Sequence, residues 1–400
     1  MKIRKSLSWS IVVVGFFLGI AGIKALEGLG DRQRETPTVA TRVIEDVRGR
    51  KVRVPKKVTR DYYPYYYQNL LSVAGPDAFE KVVATSIFDA ANYSGVLYNL
   101  LKERSAGFDQ AQDVGSTLKG SFDIEKLIAL NPDVVILANY QYDGIGEGDI
   151  KHLDELGIPV VFIDYTDLSP AAHYQSTTIL GQVFDTQNRA KALNQNYQLH
   201  ITNVAQWLKL VKEKKRVYVE QRSSGASFAE YGKAYGDGVL MGTLAKAAGA
   251  DNIYRDQIKT AGDVNPEFLF AQDPDVIFID GTNYADPRSV SLKVGYGISP
   301  KEMQQSLAKL VAQRPGFSQL KAVQSGQLYA LDNHLMRTMK DYVLIEYMAK
   351  SLYPELFTDL KPEKNLQDFN EKYLPDLADK DSFLAQWDME NHNEVSLNKR

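Results

Sequence analysis

No cysteine occurs among the 400 residues of this chain. The absence excludes structural disulfides, thiolate metal sites and a lipid-modified N-terminal cysteine. Histidine is scarce too, with five residues, and no two of them have the His-x-x-x-His spacing that places two imidazoles on one helix face. We therefore expect no resident cofactor and no metal site built from cysteine or histidine clusters.

The chain also lacks an excess of positive charge, because its formal net charge is −3. A nucleic-acid partner usually requires a basic face, so this balance argues against one. Apolar residues make up 44% of the chain, which is ordinary for a soluble protein. The length leaves room for two or three domains with a large buried core.

Long hydrophobic runs are missing beyond the N-terminus. The stretch MKIRKSLSWSIVVVGFFLGIAGIKA has three basic residues, then an apolar run from Ile11 to Ile23 and small residues up to Ala25. That run is shorter than the roughly 20 residues a transmembrane helix needs, so the pattern predicts a signal peptide over residues 1–25, either cleaved or retained as an anchor. Without a cysteine for lipid attachment, the chain is predicted to be periplasmic and not a lipoprotein. Residues 26–40 read as a polar, flexible lead-in.

The remainder of the chain has an α/β pattern. Residues 41–60 alternate apolar and polar around Gly49, which predicts a small hairpin. Short apolar β-rich runs then alternate with helical stretches, as in parallel sheets covered on both faces. The predicted strands are KVVATS (81–86), DVVILAN (133–139), PVVFIDY (159–165), KRVYVEQ (215–221), DVIFIDG (275–281) and QLYALDN (327–333).

A long stretch between the two strand series, residues 186–214, contains no glycine or proline and has apolar residues at three- and four-residue spacing. This pattern predicts one rigid helix of roughly 40 Å at about 1.5 Å per residue. The predicted organisation is an N-terminal α/β lobe (41–185), a linking helix (186–214) and a C-terminal α/β lobe (215–390). The predicted fold class is therefore α/β, with two lobes containing parallel sheets joined by one long rigid helix.

A repeated segment supports two similar lobes. IEKLIALNPDVVI (124–136) and PEFLFAQDPDVIF (266–278) share Glu-x-Leu-x-Ala-x-x-Pro-Asp-Val, roughly one domain length apart. Further segments extend the pattern: IEDVRGRKVRVPKKVTR, LGIPVVFID, LAKAAGADNIY, RPGFSQLKAVQSGQLYALD and YMAKSLYPELF. With these segments, residues 41–360 resemble the periplasmic solute-binding proteins of ABC importers for iron–siderophore, haem and cobalamin ligands. The resemblance implies two Rossmann-like α/β lobes joined by one long helix, with a ligand cleft between them. It also implies a binding function rather than an enzymatic one, a membrane permease as partner and a monomeric state.

The resemblance also implies two docking residues. In this family a glutamate on each lobe binds arginine-lined pockets of the membrane subunits, and the matching positions here are Glu125 and Glu267. A two-lobed protein on a two-fold partner needs one anionic contact per lobe, and arginine–carboxylate pairing is orientation-specific. The alternative is a pair of solvated glutamates favoured by their helix dipoles.

Loops at the carboxyl ends of the strands are where open α/β sheets bind ligands, and in this sequence those loops are rich in tyrosine. Tyrosine offers a flat apolar face with a hydroxyl donor, and arginine offers charge-assisted bonds to anionic oxygens. The candidate ligand-binding residues are Tyr63, Tyr65, Tyr66, Tyr140, Tyr142, Arg222, Tyr231, Tyr235, His334 and Arg337. The competing interpretation is that many of these rings pack between helices or lobes.

The tyrosine density departs from the cobalamin pattern and favours an anionic ferric chelate, such as a ferric siderophore, as the small-molecule ligand. Haem or a bare ferric ion, held by a cleft tyrosine or His334, is the alternative within the same fold. A periplasmic hydrolase is the alternative from another class, although SSGAS (223–227) does not match a Gly-x-Ser-x-Gly elbow. The sequence leaves the identity of the chelate open.

Overall fold

The hairpin predicted at the start of the first lobe is present. The computed structural model describes residues 40–221, 227–283, 290–377 and 383–389. Strands β1 (Thr41–Glu45) and β2 (Lys51–Pro55) pair antiparallel, and Gly49 has the positive φ of 74° that the turn requires. The amide of Val47 donates to the carbonyl of Phe162 at 3.3 Å, which fixes the hairpin to the first lobe.

The first lobe contains a five-stranded sheet in the order β5-β4-β3-β6-β7, and every pairing in it is parallel. Its strands are β3 (Asp61–Tyr62), β4 (Val82–Thr85), β5 (Gln112–Asp113), β6 (Val134–Ala138) and β7 (Val160–Ile163). Its helices are α1 (Tyr67–Ala74), α2 (Ile87–Arg104), α3 (Ala106–Asp109), α4 (Ile124–Ala129), α5 (Tyr142–Glu155) and α6 (Pro170–Phe184). All residues of β6 and β7 are buried, as expected for strands covered on both faces.

The linking helix, α7 (Gln187–Leu208), has 22 residues and ends six residues before the predicted position 214. Its buried stripe of Ala190, Leu193, Tyr197 and Val204 follows the predicted spacing. Beyond Leu208, Leu210 is exposed and Val211 is only half-buried before a run of charged residues, so a longer helix would gain little packing. The helix packs against α6 of the first lobe and α12 (Tyr342–Leu352) of the second.

The second lobe contains a seven-stranded sheet that is mixed rather than wholly parallel. Its strands are β8 (Arg216–Gln221), β9 (Lys233–Tyr235), β10 (Asp251–Asn252), β11 (Ala261–Asp263), β12 (Val276–Gly281), β13 (Leu328–Asp332) and β14 (Leu384–Gln386). Strands β10, β8, β12 and β13 pair in parallel, whereas β9, β11 and β14 join antiparallel. These three antiparallel strands have three residues each and lack the apolar runs by which the longer strands are recognised.

The remaining helices cover this second sheet. They are α8 (Leu240–Ala247), α9 (Pro266–Gln272), α10 (Pro300–Gln313), α11 (Lys321–Gln324), α12 and α13 (Pro362–Tyr373). Residues from Thr41 onward form one compact unit. Within the described ranges, no helix has both the length and the apolar composition needed to cross a membrane.

Candidate functional site

A pocket lies between the two lobes at the carboxyl ends of β3 and β13, and it has a cavity volume of about 50 Å³. The first lobe contributes the loop after β3 and the first turns of α2, and the second lobe contributes the loop after β13. This is the edge at which open α/β sheets bind ligands. The lining residues that carry polar or aromatic groups into it include Tyr65, Tyr66, Asp89, Asn333, His334 and Arg337.

Arg337 supplies the positive charge of this pocket. Its side chain is half-buried, and its Nη1 donates to the amide oxygen of Asn333 at 3.2 Å. Burial opposes the charged form, but the phenol groups around it, those of Tyr65 and Tyr235 first, raise the pKa of Arg337 above its ordinary value. In the described part of the chain these neighbours are phenols and an amide, so the guanidinium remains charged and available to an anion.

The backbone of Arg337 is held by the opposite lobe. It has a left-handed φ of 63°, which is uncommon for a residue other than glycine and often marks a functional site. Asn69 of α1 donates to the carbonyl of Arg337 at 2.8 Å and accepts from the amide of Met339 at 3.1 Å. Gln68 donates to the carbonyl of His334 at 3.2 Å. These amides fix the second-lobe loop against the first lobe.

Three tyrosines of the first lobe form an aromatic wall. The ring of Tyr65 lies 4.7 Å from Tyr66 and 5.7 Å from Tyr140, in edge-to-face arrangements. Tyr66 has a left-handed φ of 55°, and its hydroxyl forms a 2.6 Å hydrogen bond with Thr166. Tyr140 is 36% exposed. The structure therefore places three of the predicted tyrosines side by side, with Tyr65 and Tyr66 lining the pocket.

Two other predicted residues of the first lobe lie in packed surroundings. Tyr63 is 1% exposed, and its ring packs against Tyr67 within the core. Tyr142 lies under the guanidinium of Arg48, which is 3.5 Å from its ring centroid, and its hydroxyl donates to Glu147. These contacts favour a packing role for Tyr63 and Tyr142.

In the second lobe, Tyr235 lies beneath the pocket rather than on its wall. Its buried hydroxyl donates to Asp280 at 2.8 Å, and the side chain of Asn333 donates to the same carboxylate oxygen at 2.8 Å. Asn333 in turn accepts from Arg337, so Tyr235 supports the arginine through two intermediates. Arg222, the other predicted cation, lies outside the described residues.

His334 lines the pocket, and its surroundings bear on the metal and hydrolase alternatives. Its Nδ1 is 3.1 Å from Asp332, and Thr282 Oγ1 lies 3.2 Å from Nδ1 and 3.1 Å from Nε2. Thr282 is 1% exposed, so its hydroxyl is poorly accessible to a substrate and poorly suited to act as a nucleophile. No cluster of three or more His, Cys, Asp or Glu side chains that could hold a metal occurs among the residues the structure describes.

Asp89, a pocket residue that the sequence did not single out, lies in the first turn of α2. Its side chain is buried, and desolvation raises the pKa of its carboxyl group against the opposing effect of the hydrogen bond that Ser116 donates to Oδ1. Its position in the sequence could have identified it, because Asp89 follows the end of strand β4 by four residues and so lies near the carboxyl edge of the sheet.

A buried ion pair fixes residues 230–232, which lead into β9. Arg314 and Glu220 form a bidentate pair at 2.7 and 2.9 Å, with neither side chain exposed. Glu220 also accepts from the amide of Gly232, and Arg314 donates to the carbonyl of Glu230. The ring of Tyr231 lies 4.4 Å from the guanidinium. Tyr231, a predicted ligand residue, therefore packs on this clamp.

Arg314→Met is expected to lower the free energy of unfolding by about 3–5 kcal/mol, because it leaves the buried Glu220 carboxylate without its partner. Adding Glu220→Gln removes that stranded charge and is expected to restore part of the loss. Urea unfolding of the single and double variants is the measurement. As a control, Lys151→Met breaks the exposed pair with Glu155 and is expected to cost under about 1 kcal/mol. Equal costs for Lys151→Met and Arg314→Met would contradict the argument.

The repeated segments occupy the same place in each lobe. Glu125 and Glu267 are exposed, and each lies in the first turn of a short helix, α4 or α9. Asp123 caps the first helix by accepting from the amide of Lys126, and Asn265 caps the second in the same way. The two glutamates are therefore structurally equivalent.

The Pro-Asp part of the repeat has a structural role that the sequence did not reveal. Asp133 accepts from the amide of Arg60, and Asp275 accepts from the amide of Arg216, which ties each helix–strand unit to the first strand of its lobe. Both arginines also donate to carbonyls at the end of the preceding helix, α4 or α9. The hydrogen bonds of Asp133 and Asp275 therefore account for the repeated aspartate by a structural role. The exposed Glu125 and Glu267 take no part in these hydrogen bonds.

Comparison with known proteins agrees with this architecture. The profile of the family described as periplasmic binding protein matches residues 70–335. The molybdate-binding protein MolA of Haemophilus influenzae is 25% identical over 373 residues, covering 85% of this chain and 94% of the relative. The crystal structure of the TroA-like periplasmic binding protein FepB from Veillonella parvula superposes with a TM-score of 0.79 at 26% identity, covering 86% of this chain and 99% of that one. MolA bound to molybdate shares the fold, with a TM-score of 0.61 at 21% identity over 83% of this chain and 97% of that one.

Proposed function

This chain belongs to the periplasmic binding protein family and is the substrate-binding component of an ABC importer, and we propose that its ligand is an anionic, oxygen-rich ferric chelate. One observation carries the proposal: the half-buried guanidinium of Arg337 faces an aromatic pocket with phenol and amide neighbours. Such a cation is stabilised by an incoming anion. The edge-to-face rings of Tyr65, Tyr66 and Tyr140 suit the flat groups of an aromatic chelator.

Arg337→Gln is expected to weaken binding of a ferric catecholate about ten- to a hundred-fold, because a charge-assisted hydrogen bond contributes about 1.5–3 kcal/mol. Isothermal titration calorimetry with the purified protein measures this directly. Arg337→Lys is expected to recover part of the affinity, since it restores the charge without the planar fork. Arg48→Gln, which removes an arginine stacked on Tyr142, is the matched control. An unchanged dissociation constant in Arg337→Gln would rule out the anion-binding role.

A small oxyanion is the second candidate ligand. The relative that is 25% identical over 85% of this chain is named as molybdate-binding, and an oxyanion would also bind Arg337. Titrating the wild-type protein with molybdate and with the ferric catecholate separates the two, because the ligand that the cleft is built for binds with the lower dissociation constant.

Haem and a bare ferric ion receive less support from the geometry. The hydroxyl of Tyr66 is engaged with Thr166, and burial raises the pKa of Tyr66 far above the ordinary phenol value, so this phenol is poorly suited to ligate iron as phenolate. A visible spectrum of protein purified from its native host distinguishes the cases. A Soret band would indicate haem, and a broad charge-transfer band would indicate a ferric catecholate or phenolate.

For delivery to the permease, we propose that Glu125 and Glu267 each bind an arginine-lined pocket on one membrane subunit. Their equivalent, exposed positions in the two lobes support this, because a two-fold partner requires matching contacts.

A further inference from the structure

The pocket is lined by a buried carboxyl group, one oxygen of which has no hydrogen-bond partner among the described residues. Asp89 is 1% exposed and lines the pocket. Its Oδ1 accepts from the hydroxyl of Ser116 at 2.8 Å, whereas its Oδ2 has no hydrogen-bond partner within the described part of the chain. One oxygen therefore has a structural partner, and the other has none in the described ranges.

An unsatisfied buried carboxylate oxygen costs free energy, typically about 1–3 kcal/mol and more when the group is charged. A donor brought by a ligand would recover that cost. Asp61 provides a contrast within the same lobe, because its two unsatisfied oxygens lie in the core and not on this cavity. Asp89, in contrast, lines the cavity, and Arg337 lies in the same pocket.

We propose that Asp89 is a ligand-contacting residue, and that the ligand presents an amine or hydroxyl donor to its free oxygen while its anionic oxygens bind Arg337. The inference rests on the proposed function and narrows its substrate class to anionic chelates that also carry N–H or O–H groups. It disfavours the molybdate dianion as the natural ligand, since that anion has no donor and would face a carboxylate.

Calorimetry with two probes tests this. The first is the ferric complex of N-(2,3-dihydroxybenzoyl)lysine, which has anionic oxygens and a free amine, and the second is molybdate. Asp89→Asn is expected to weaken the amine-bearing chelate about ten- to a hundred-fold, because the amide cannot match the carboxylate as an acceptor. Its affinity for molybdate is expected to stay equal or to rise. Asp77→Asn is the control, since Asp77 is an exposed aspartate of the same lobe that does not line the pocket.

The outcomes distinguish the donor contact at Asp89 from the anion-binding role of Arg337. If Arg337→Gln weakens the chelate and Asp89→Asn does not, the donor contact is wrong and the anion-binding cleft stands. If neither variant changes either affinity, both fail. Tighter wild-type binding of molybdate than of the chelate, or no binding of the chelate, overturns the inference. Acetylating the amine is a further check, and it is expected to reproduce the loss in wild-type protein but to change little in Asp89→Asn.

Discussion

The double variant Glu125→Ala with Glu267→Ala is expected to abolish stimulation of the importer while ligand affinity stays unchanged. Both glutamates are exposed on first turns of equivalent helices, away from the residues that line the pocket. Each lobe would lose its charge-assisted contact, and a two-point docking surface loses affinity steeply when both points are removed. ATP hydrolysis by the reconstituted permease, measured with loaded binding protein, reports the effect.

Single variants and a charge-matched control sharpen this experiment. Each single alanine variant is expected to reduce stimulation only partly, since one contact remains. Glu155→Ala with Glu371→Ala removes one exposed glutamate from each lobe at unrelated positions and is expected to leave stimulation intact. A loss of ligand affinity in the docking variant would show that Glu125 and Glu267 act on the cleft instead. Full stimulation by that variant would exclude their docking role.

The longest buried strands were predictable from the sequence, because burial on both faces leaves a continuous apolar signature. All residues of β6 and β12 are buried, and both lie inside the predicted runs. The linking helix was predictable for the same kind of reason, since its stripe keeps helical spacing through Val204. The end of α7 was not predictable, because the last turns of a helix depend on whether other parts of the fold are there for them to pack against.

The pocket was only partly predictable. Within the tyrosine cluster after β3, Tyr63 faces the core whereas Tyr65 and Tyr66 line the pocket. That division depends on a left-handed residue, Tyr66, whose φ no local pattern announces. The amide contacts from Asn69 to Arg337 and Met339 connect residues about 270 positions apart, so only the folded chain reveals them.

The fold disfavours the charged form of the Asp61 carboxyl group. Asp61 opens β3, is fully buried, and neither of its carboxylate oxygens has a hydrogen-bond partner among the described residues. Burial is the main cause that raises the pKa of Asp61 to about 8, with Lys81 opposing and Asp133 adding to it. The position pairs with Val134 just as Val217 pairs with Val276 in the second lobe. The second lobe therefore has an apolar residue, Val217, at the position equivalent to Asp61.

Asp61→Asn is accordingly expected to stabilise the protein at pH 8 and to have little effect near pH 4. The unfolded carboxyl ionises above its ordinary pKa of about 4, whereas the folded one stays protonated until about pH 8. The unfolded state then binds fewer protons, so wild-type stability falls with rising pH across this window, by at most about 5 kcal/mol in total. The amide variant cannot ionise and escapes that fall. Urea unfolding of both proteins at pH 4, 6 and 8 measures the difference, with exposed Asp77→Asn as the control. A difference of the same size at all three pH values would assign the effect to packing, and destabilisation at pH 8 would mean that the carboxylate has a partner.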